Sequence, residues 1–201
     1  AGTNITTSQT IYIYKESLIR TSFSCSDESS FTVTINQTPV IPAVLDVAAC
    51  DSYTLRPLTV GNYFTGPNGT GTAYTAGQTI TSSMTMYVYA ETGTTPNCTS
   101  ENSFIITIVT PPNVDTPSNV TACDSYTLPG LTVGNYFSAP NGAGTPYSAG
   151  DVISSSMTMY VFADAPTLAG CSAESSFQIT INTTPTVVVP ADVVACNSYI
   201  L

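Results

Sequence analysis

The stretch VTACDSYTLPGLTVGNYF, residues 120–137, is a second copy of VAACDSYTLRPLTVGNYF, residues 47–64. The match extends beyond these stretches with a period of 73 residues and no gap from Val47 to Asp192, and about three fifths of the positions are identical. Self-similarity at a fixed period indicates repeated structural units. A unit of this length is large enough to bury its own core, so the sequence predicts a string of small domains rather than a solenoid.

Proline-rich segments separate the repeats, because proline interrupts helices and cannot donate to a central sheet ladder. These seams are TPVIPAVLD at residues 38–46, TPPNVDTPSN at 110–119 and TPTVVVPAD at 184–192. We therefore predict the C-terminal part of a repeat at 1–38, full repeats at 39–111 and 112–184, and the N-terminal part of a further repeat at 185–201. The chain is expected to be a window on a longer protein.

The composition argues against several classes of partner. The chain has thirteen acidic residues and only three basic ones, Lys15, Arg20 and Arg56, which gives a net charge of −10. Binding to nucleic acid depends on Lys and Arg, and the second full repeat has neither, so we expect no nucleic-acid partner. With 42% apolar and 8% charged residues, the chain is expected to be packed, and its acidic surface is typical of a secreted protein. No membrane insertion is expected for this segment.

Short alternating runs predict strands and no helix. In DVISSSMTMYVFADA, Met157, Met159 and Val161 alternate with Thr, Tyr and Phe. The dipeptides Asn68-Gly69 and Asn141-Gly142 predict a hairpin turn in each repeat. Six or seven short strands per repeat indicate an all-β fold, a tandem array of immunoglobulin-like β-sandwiches. Since the chain has no Trp, the core is expected to consist of Tyr, Phe, Met, Ile and Val.

Each repeat carries two cysteines at fixed offsets, which indicates a disulfide framework formed in an oxidising compartment. We favour pairing within a repeat because it lets each repeat fold independently. Pairing across the seams is the alternative, and loop entropies of about 4 and about 3.5 kcal/mol do not separate the two. The favoured pairs are Cys50–Cys98 and Cys123–Cys171, with Cys25 and Cys196 pairing outside the chain; the alternative pairs are Cys25–Cys50, Cys98–Cys123 and Cys171–Cys196.

The residues offer no catalytic constellation. Without histidine there is no Ser-His-Asp triad and no Cys-His pair, and two cysteines per repeat cannot complete a zinc site. We therefore predict that the chain is not an enzyme and has no catalytic residue.

Acidic residues recur beside the cysteines, at Asp51 and Asp124 and at Glu101 and Glu174. If the cysteines pair within a repeat, one Asp and one Glu would share an end of the sandwich and could hold calcium, which needs six to eight oxygens. We favour the simpler interpretation, in which the Asp forms a turn and the Glu is solvated, so that no cofactor is bound.

Recurring tyrosines suggest a second kind of site, because flat aromatic faces stack on sugar rings. The candidates are Tyr63, Tyr74, Tyr136 and Tyr147. We favour cross-strand packing for these side chains, since a core without Trp needs them.

Six motifs together resemble a known repeat. They are C-D-S-Y-T-L at Cys50–Leu55, G-N-Y-F at Gly61–Phe64, P-N-G at Pro67–Gly69, A-G at Ala76–Gly77, S-M-T-M-Y-V at Ser83–Val88 and C-x-x-E-x-S-F-x-I-T-I at Cys98–Ile108, all found again 73 residues later. The pattern resembles the repeat of very large cell-surface proteins of the Bacteroidetes, including the giant gliding-motility adhesins of flavobacteria.

The resemblance implies export, exposure on the outer cell surface, and a role in adhesion or as the shaft that carries an adhesive tip. It supplies no catalytic residues. The expected partners are neighbouring repeats of the same chain and extracellular surfaces or polysaccharide. The alternative function is an array of carbohydrate-binding modules on a surface protein or secreted hydrolase.

Overall fold

The computed structural model describes residues 2–19 and 23–200. Within these ranges the secondary structure consists of sixteen β-strands and no helix, which confirms the all-β prediction. The chain divides into two compact units, Ala1–Ile108 and Val109–Leu201. The repeat boundaries inferred from the period stay a prediction.

The first unit contains a long hairpin followed by a complete set of seven strands. The hairpin strands are β1 (Gln9–Ile19) and β2 (Phe23–Val33). The seven strands are β3 (Val47–Cys50), β4 (Tyr53–Thr54), β5 (Asn62–Gly66), β6 (Thr70–Tyr74), β7 (Thr79–Ile80), β8 (Met84–Glu91) and β9 (Thr99–Val109).

The second unit repeats the seven-strand set with the same strand lengths, each displaced by the period. Its strands are β10 (Val120–Cys123), β11 (Tyr126–Thr127), β12 (Asn135–Ala139), β13 (Ala143–Tyr147), β14 (Val152–Ile153), β15 (Met157–Asp164) and β16 (Ser172–Asn182).

The strand order within each set is that of an immunoglobulin-like sandwich. One sheet has the order β10-β16-β15-β12-β13, and β11 pairs with β14 in a second, smaller sheet. The first unit has the equivalent sheets β3-β9-β8-β5-β6 and β4-β7. The third, sixth and seventh strands thus share one sheet while the second and fifth form the other, as in immunoglobulin domains. The predicted fold class is therefore confirmed.

The first strand of the set runs parallel to the last. Val120 lies opposite Ile179 and Cys123 lies opposite Asn182, the final residue of β16. All other pairings in the second unit are antiparallel. This parallel direction determines where the two cysteines of the repeat lie. Cys171 directly precedes β16, whereas Cys123 is the last residue of β10.

The edge of the last strand is also bound by the seam that leads into the first strand. Asn119 Oδ1 accepts a hydrogen bond of 2.7 Å from the backbone N–H of Gln178. In the first unit Asp46 Oδ1 accepts the equivalent bond from Ile105, also at 2.7 Å. An amide or carboxylate at this seam position therefore satisfies a backbone donor at the sheet edge.

Each complete set encloses its own core of aliphatic and aromatic side chains, as predicted for a chain without Trp. In the second unit the buried residues are Val114, Leu128, Tyr136, Ile153, Met159, Val161, Phe177 and Ile179. In the first unit they are Leu55, Tyr63, Ile80, Met86, Val88, Phe104 and Ile106. Met159 and Val161 are completely buried, in agreement with the alternation in that strand.

The hairpin β1–β2 is the equivalent of β8–β9, but it forms a sheet of only two strands. Ile13 and Phe31 stand where the complete repeats have fully buried Val88 and nearly buried Phe104. They are 56% and 52% exposed in the hairpin.

Candidate functional site

The predicted tyrosine platform consists of two cross-strand pairs. Tyr63 lies opposite Tyr74 on β5 and β6, and Tyr136 lies opposite Tyr147 on β12 and β13. Tyr63 and Tyr136 are only 4% and 2% exposed. Tyr74 and Tyr147 are half-buried and pack against the same cores. Tyr63 and Tyr136 therefore present no open ring face of the kind that stacks on a sugar.

Core contacts account for the buried tyrosines. The Tyr136 ring lies 6.1 Å from the Phe177 ring at an interplanar angle of 60°, and Tyr63 lies 6.2 Å from Phe104. The Tyr136 hydroxyl donates to Pro129 O at 3.3 Å. The Tyr63 hydroxyl donates equivalently to a carbonyl at 3.0 Å. A buried phenol that finds a backbone acceptor is a structural tyrosine.

Burial also changes the acidity of these phenols. The pKa of Tyr136 is raised, first by desolvation and then by the nearby Tyr126 and Asp115. The pKa of Tyr63 is raised by desolvation and by Tyr53, although Arg56 acts in the opposite direction. Both groups are therefore held neutral beyond the pH at which an exposed tyrosine ionises.

The recurring glutamates bind the hairpin turns. Glu174 Oε2 accepts a hydrogen bond of 2.5 Å from the backbone N–H of Asn141. Glu101 accepts the equivalent bond from Asn68. Asn141 has a positive φ of 59° and precedes Gly142, which has a φ of 67°, so the carboxylate fixes a left-handed turn. Sequence reasoning noticed both the Glu and the Asn-Gly turn but did not connect them.

The recurring aspartates occupy a different kind of turn. Asp51, Asp124 and Asn197 have positive φ values of 60°, 64° and 70°. Asp and Asn tolerate this region better than other side chains, which explains why either residue stands at this position of the repeat. Asp124 also accepts hydrogen bonds from the N–H and hydroxyl of Thr184, at 2.8 and 2.6 Å. These bonds lower its pKa, with the Thr184 hydroxyl contributing most.

The aspartate and glutamate of a repeat do not form a calcium site. Asp124 donates its backbone N–H to Asn182, at the end of β16, whereas Glu174 lies near the beginning of that strand. Eight residues of extended strand separate these ends by roughly 25 Å. The hypothesis that Asp51 and Glu101, or Asp124 and Glu174, share an ion is therefore wrong. Residues 2–19 and 23–200 contain no group of three or more potential metal ligands.

The cysteines differ from both predicted pairing schemes. Cys50 and Cys171 are disulfide-bonded, whereas Cys25, Cys98, Cys123 and Cys196 are free thiols. The favoured pairs Cys50–Cys98 and Cys123–Cys171 are thus not formed, and neither are the alternative pairs Cys25–Cys50, Cys98–Cys123 and Cys171–Cys196.

The parallel first strand explains why the favoured pairing fails. Cys123 lies opposite Asn182, while Cys171 precedes the first residue of β16. The two sulfurs therefore belong to opposite ends of an eleven-residue strand, on the order of 35 Å apart. A disulfide requires Cα atoms within about 7 Å, so a repeat of this topology cannot close its own cystine.

A concave surface lies beside the only basic residue of the two full repeats, Arg56. A groove of about 500 Å³ runs between seam residues 42–47 and the loop 56–59. Half-buried Tyr53 and exposed Arg56 line it. The corresponding groove in the second unit has Pro129 in place of Arg56. A groove between the seam and this loop is thus present in both repeats, but the positive charge is present only in the first.

No family model matches the chain, and no curated protein matches it. Among solved structures it is similar to the extracellular cadherin domains 1–5 of protocadherin gamma B2, with a TM-score of 0.29 and 11% identity. The alignment covers 86% of this chain and 45% of that one. Mouse clustered PcdhgC3 EC1-3 matches with a TM-score of 0.31 and 9% identity over 88% of this chain and 77% of that one.

The chain therefore spans less than half the length of the first of these structures. Within the described ranges there is no helix of the length and apolar character that a membrane span needs.

Proposed function

We propose that the chain is a structural segment, the stalk or filament, of a large secreted bacterial cell-surface adhesin that acts in surface adhesion or gliding motility. Its partners are then neighbouring repeats of the same chain and an extracellular surface contacted elsewhere in the protein. The segment acts outside the cell, without catalysis and without a cofactor.

One observation carries this proposal: the recurring residues that mark the repeat have structural roles. Tyr136 and Met159 are buried in the core, Glu174 binds a turn, and Asp124 binds the seam at Thr184. A binding array would be expected to repeat an exposed set of ligand-contacting side chains, whereas a stalk needs only to repeat its fold. The resemblance to repeats of giant surface adhesins supports the same conclusion.

A stalk must resist extension, and this property can be tested directly. We expect the chain, with its disulfides reduced and held at its ends in a single-molecule force experiment, to unfold in discrete steps of similar length, one for each complete repeat. A glycan array probed with the same chain should show no binding. Smooth extension without steps would contradict a load-bearing segment.

Polysaccharide binding remains a second candidate because of the groove beside Arg56. An anionic sugar could place a carboxylate on the guanidinium and a ring against Tyr53. The absence of a basic residue at Pro129 means that only one of the two repeats would bind in this way. If an acidic glycan binds, Arg56→Gln should abolish binding and Pro129→Arg should add a second site. Binding that is unchanged by Arg56→Gln would exclude this groove.

A further inference from the structure

Each complete repeat carries an Asn-Gly turn whose reactive groups are accessible. Asn68-Gly69 joins β5 to β6, Asn141-Gly142 joins β12 to β13, and both asparagine side chains are exposed. The backbone bond that closes the second turn runs from Ala143 N–H to Pro140 O and is 3.3 Å long. Within the described part of the chain, the N–H of Gly142 donates no hydrogen bond. The nitrogen that follows the asparagine is therefore unpaired, and glycine has no Cβ to shield it.

These are the groups that react in the deamidation of asparagine, a thermolabile residue. The Gly142 nitrogen loses its proton to hydroxide and attacks the side-chain carbonyl carbon of Asn141. A succinimide ring forms, and ammonia leaves. Water then opens the ring at either carbonyl and gives aspartate or isoaspartate at position 141. The overall change consumes one water and releases one ammonia, with no oxidation or reduction.

The folded turn opposes this reaction, because ring closure requires the turn to open. Asn141 and Gly142 have positive φ values of 59° and 67°, which define the closed two-residue turn of a hairpin. In a turn of this type the Gly nitrogen and the Asn Cβ lie on opposite sides of the Cα–C bond, whereas the ring needs them on the same side. Glu174 Oε2 accepts the Asn141 N–H at 2.5 Å and stabilises the closed turn. The rate of deamidation should therefore follow the population of the open turn.

We propose that Asn141 and, more slowly, Asn68 are deamidation sites whose rates are controlled by the carboxylates of Glu174 and Glu101. Glu101 accepts the equivalent bond from the N–H of Asn68. The reaction adds a carboxylate beside the glutamate that holds the turn, and isoaspartate also lengthens the backbone by a methylene group. Because like charges repel, the modified turn loses its bond to the glutamate and the hairpin loosens. This inference goes beyond the proposed stalk function, since it assigns a covalent modification to the repeat.

The two turns differ in one hydrogen bond, which predicts the order in which they react. The Thr70 hydroxyl donates to Pro67 O at 2.7 Å. The equivalent residue in the second repeat, Ala143, has no hydroxyl. The first turn is therefore closed by an additional bond that the second turn lacks. Asn68 should react more slowly than Asn141, although both are preceded by Pro and followed by Gly.

The experiment keeps the whole chain at mildly alkaline pH in water labelled with heavy oxygen and follows each asparagine by peptide mapping and mass spectrometry. We expect labelled aspartate and isoaspartate first at position 141, then at position 68, and far less at Asn135, which is exposed but is followed by Tyr. Glu174→Ala should raise the rate at position 141 by roughly tenfold, because it removes a hydrogen bond to a charged acceptor. Glu174→Gln keeps an acceptor oxygen and should raise it less. In the urea-unfolded chain both Asn-Gly sites should react at similar rates.

An exchange between the two turns tests the control by hydrogen bonding without changing the glutamates. Thr70→Ala should raise the rate at position 68 towards the rate at position 141. Ala143→Thr combined with Ala139→Gly should lower the rate at position 141. Both changes are needed because the equivalent of Ala139 is Gly66, where a Cβ would lie only 2.6 Å from the Thr70 hydroxyl oxygen.

The outcomes that would overturn the proposal are distinct. It is wrong if Asn141 reacts no faster than Asn135, if Asn68 reacts faster than Asn141 in the folded chain, or if Glu174→Ala leaves the rate at position 141 unchanged or lowers it. A urea midpoint for each variant shows whether its fold is retained. If Glu174→Ala unfolds its unit, the exchange decides, and rates that it leaves unchanged would overturn the proposal.

Discussion

Replacing Tyr136 tests whether the recurring tyrosines form the core or a binding surface. A domain of this size has a free energy of unfolding of roughly 4–11 kcal/mol. Tyr136→Ala removes a ring that is 2% exposed and packed against Phe177, which should cost about 3–5 kcal/mol. Tyr136→Phe keeps the ring and loses only the hydroxyl bond to Pro129 O, at a cost of about 0.5–1.5 kcal/mol.

Urea denaturation followed by circular dichroism measures both variants. A loss of 1 kcal/mol moves the midpoint by roughly 0.5 M at a typical slope, so Tyr136→Phe should give a small shift and Tyr136→Ala should unfold its unit at low urea or before any is added. Tyr199→Phe is the control, because Tyr199 is 61% exposed in the tail. An unchanged midpoint in Tyr136→Ala would refute the core assignment.

The same burial gives an expected pH dependence. Because the folded pKa of Tyr136 is raised, its contribution to stability is complete below the unfolded pKa of about 10 and is lost as the pH rises through the folded value. Tyr136→Phe should therefore be less sensitive to alkaline unfolding than the unmodified chain. The tyrosinate absorbance of Tyr136 should appear above the pH at which tyrosine ordinarily ionises, about 10.

Three further changes have definite expected outcomes. Gly142→Ala should destabilise its unit by about 1–2 kcal/mol because of the left-handed φ alone. The total cost should be larger, because the new Cβ would lie 2.8 Å from the Phe162 ring. Gly150→Ala is the control in the same urea experiment and should cost less, because Gly150 has a φ of +93° but nothing within 4 Å of the new Cβ. Because its bonds to Thr184 lower its pKa, Asp124 contributes stability above the ordinary pKa of Asp, about 3.9, and this contribution is lost as the pH falls through the lowered folded value. Asp124→Ala should therefore flatten the acid side of a plot of the free energy of unfolding against pH. A chelator should leave the thermal midpoint unchanged, and a drop of several degrees would indicate a bound cation.

Local patterns predicted the strands well because the sequence signals are themselves local. The alternation of Met157, Met159 and Val161 requires only that a strand has one buried face, and the structure buries the last two completely. The Asn141-Gly142 turn follows from a conformational preference of two adjacent residues. Neither feature depends on which strands are neighbours.

Strand direction could not be read from the same patterns. The alternation that marks β10 is the same whether the strand runs parallel or antiparallel to β16, so the positions of Cys123 and Cys171 along the sheet were undetermined. The favoured pairing assumed that both cysteines reach one end. The calcium hypothesis depended on that pairing and fails for the same reason.

The bond between Glu174 and Asn141 was also beyond sequence reasoning, although a signal existed. Both residues recur with the period, but they are 33 positions apart along the chain. Their contact requires the β12–β13 hairpin to lie near the start of β16, which only the sheet order establishes. The sequence signal for this contact was therefore the recurrence of the two residues at a constant separation, and the sheet order explains it.

The parallel first strand also determines what stabilises a single repeat. No disulfide joins the two cysteines of one repeat, so a repeat gains no stability from a loop closed within itself. The contribution that each repeat makes on its own comes from the core, in which Leu128, Val161 and Ile179 are at most 2% exposed. Oxidation of Cys98 or Cys123 would instead join a repeat to another polypeptide segment. In this fold the two cysteines of a repeat are therefore kept apart by the sheet, while apolar burial holds each domain together.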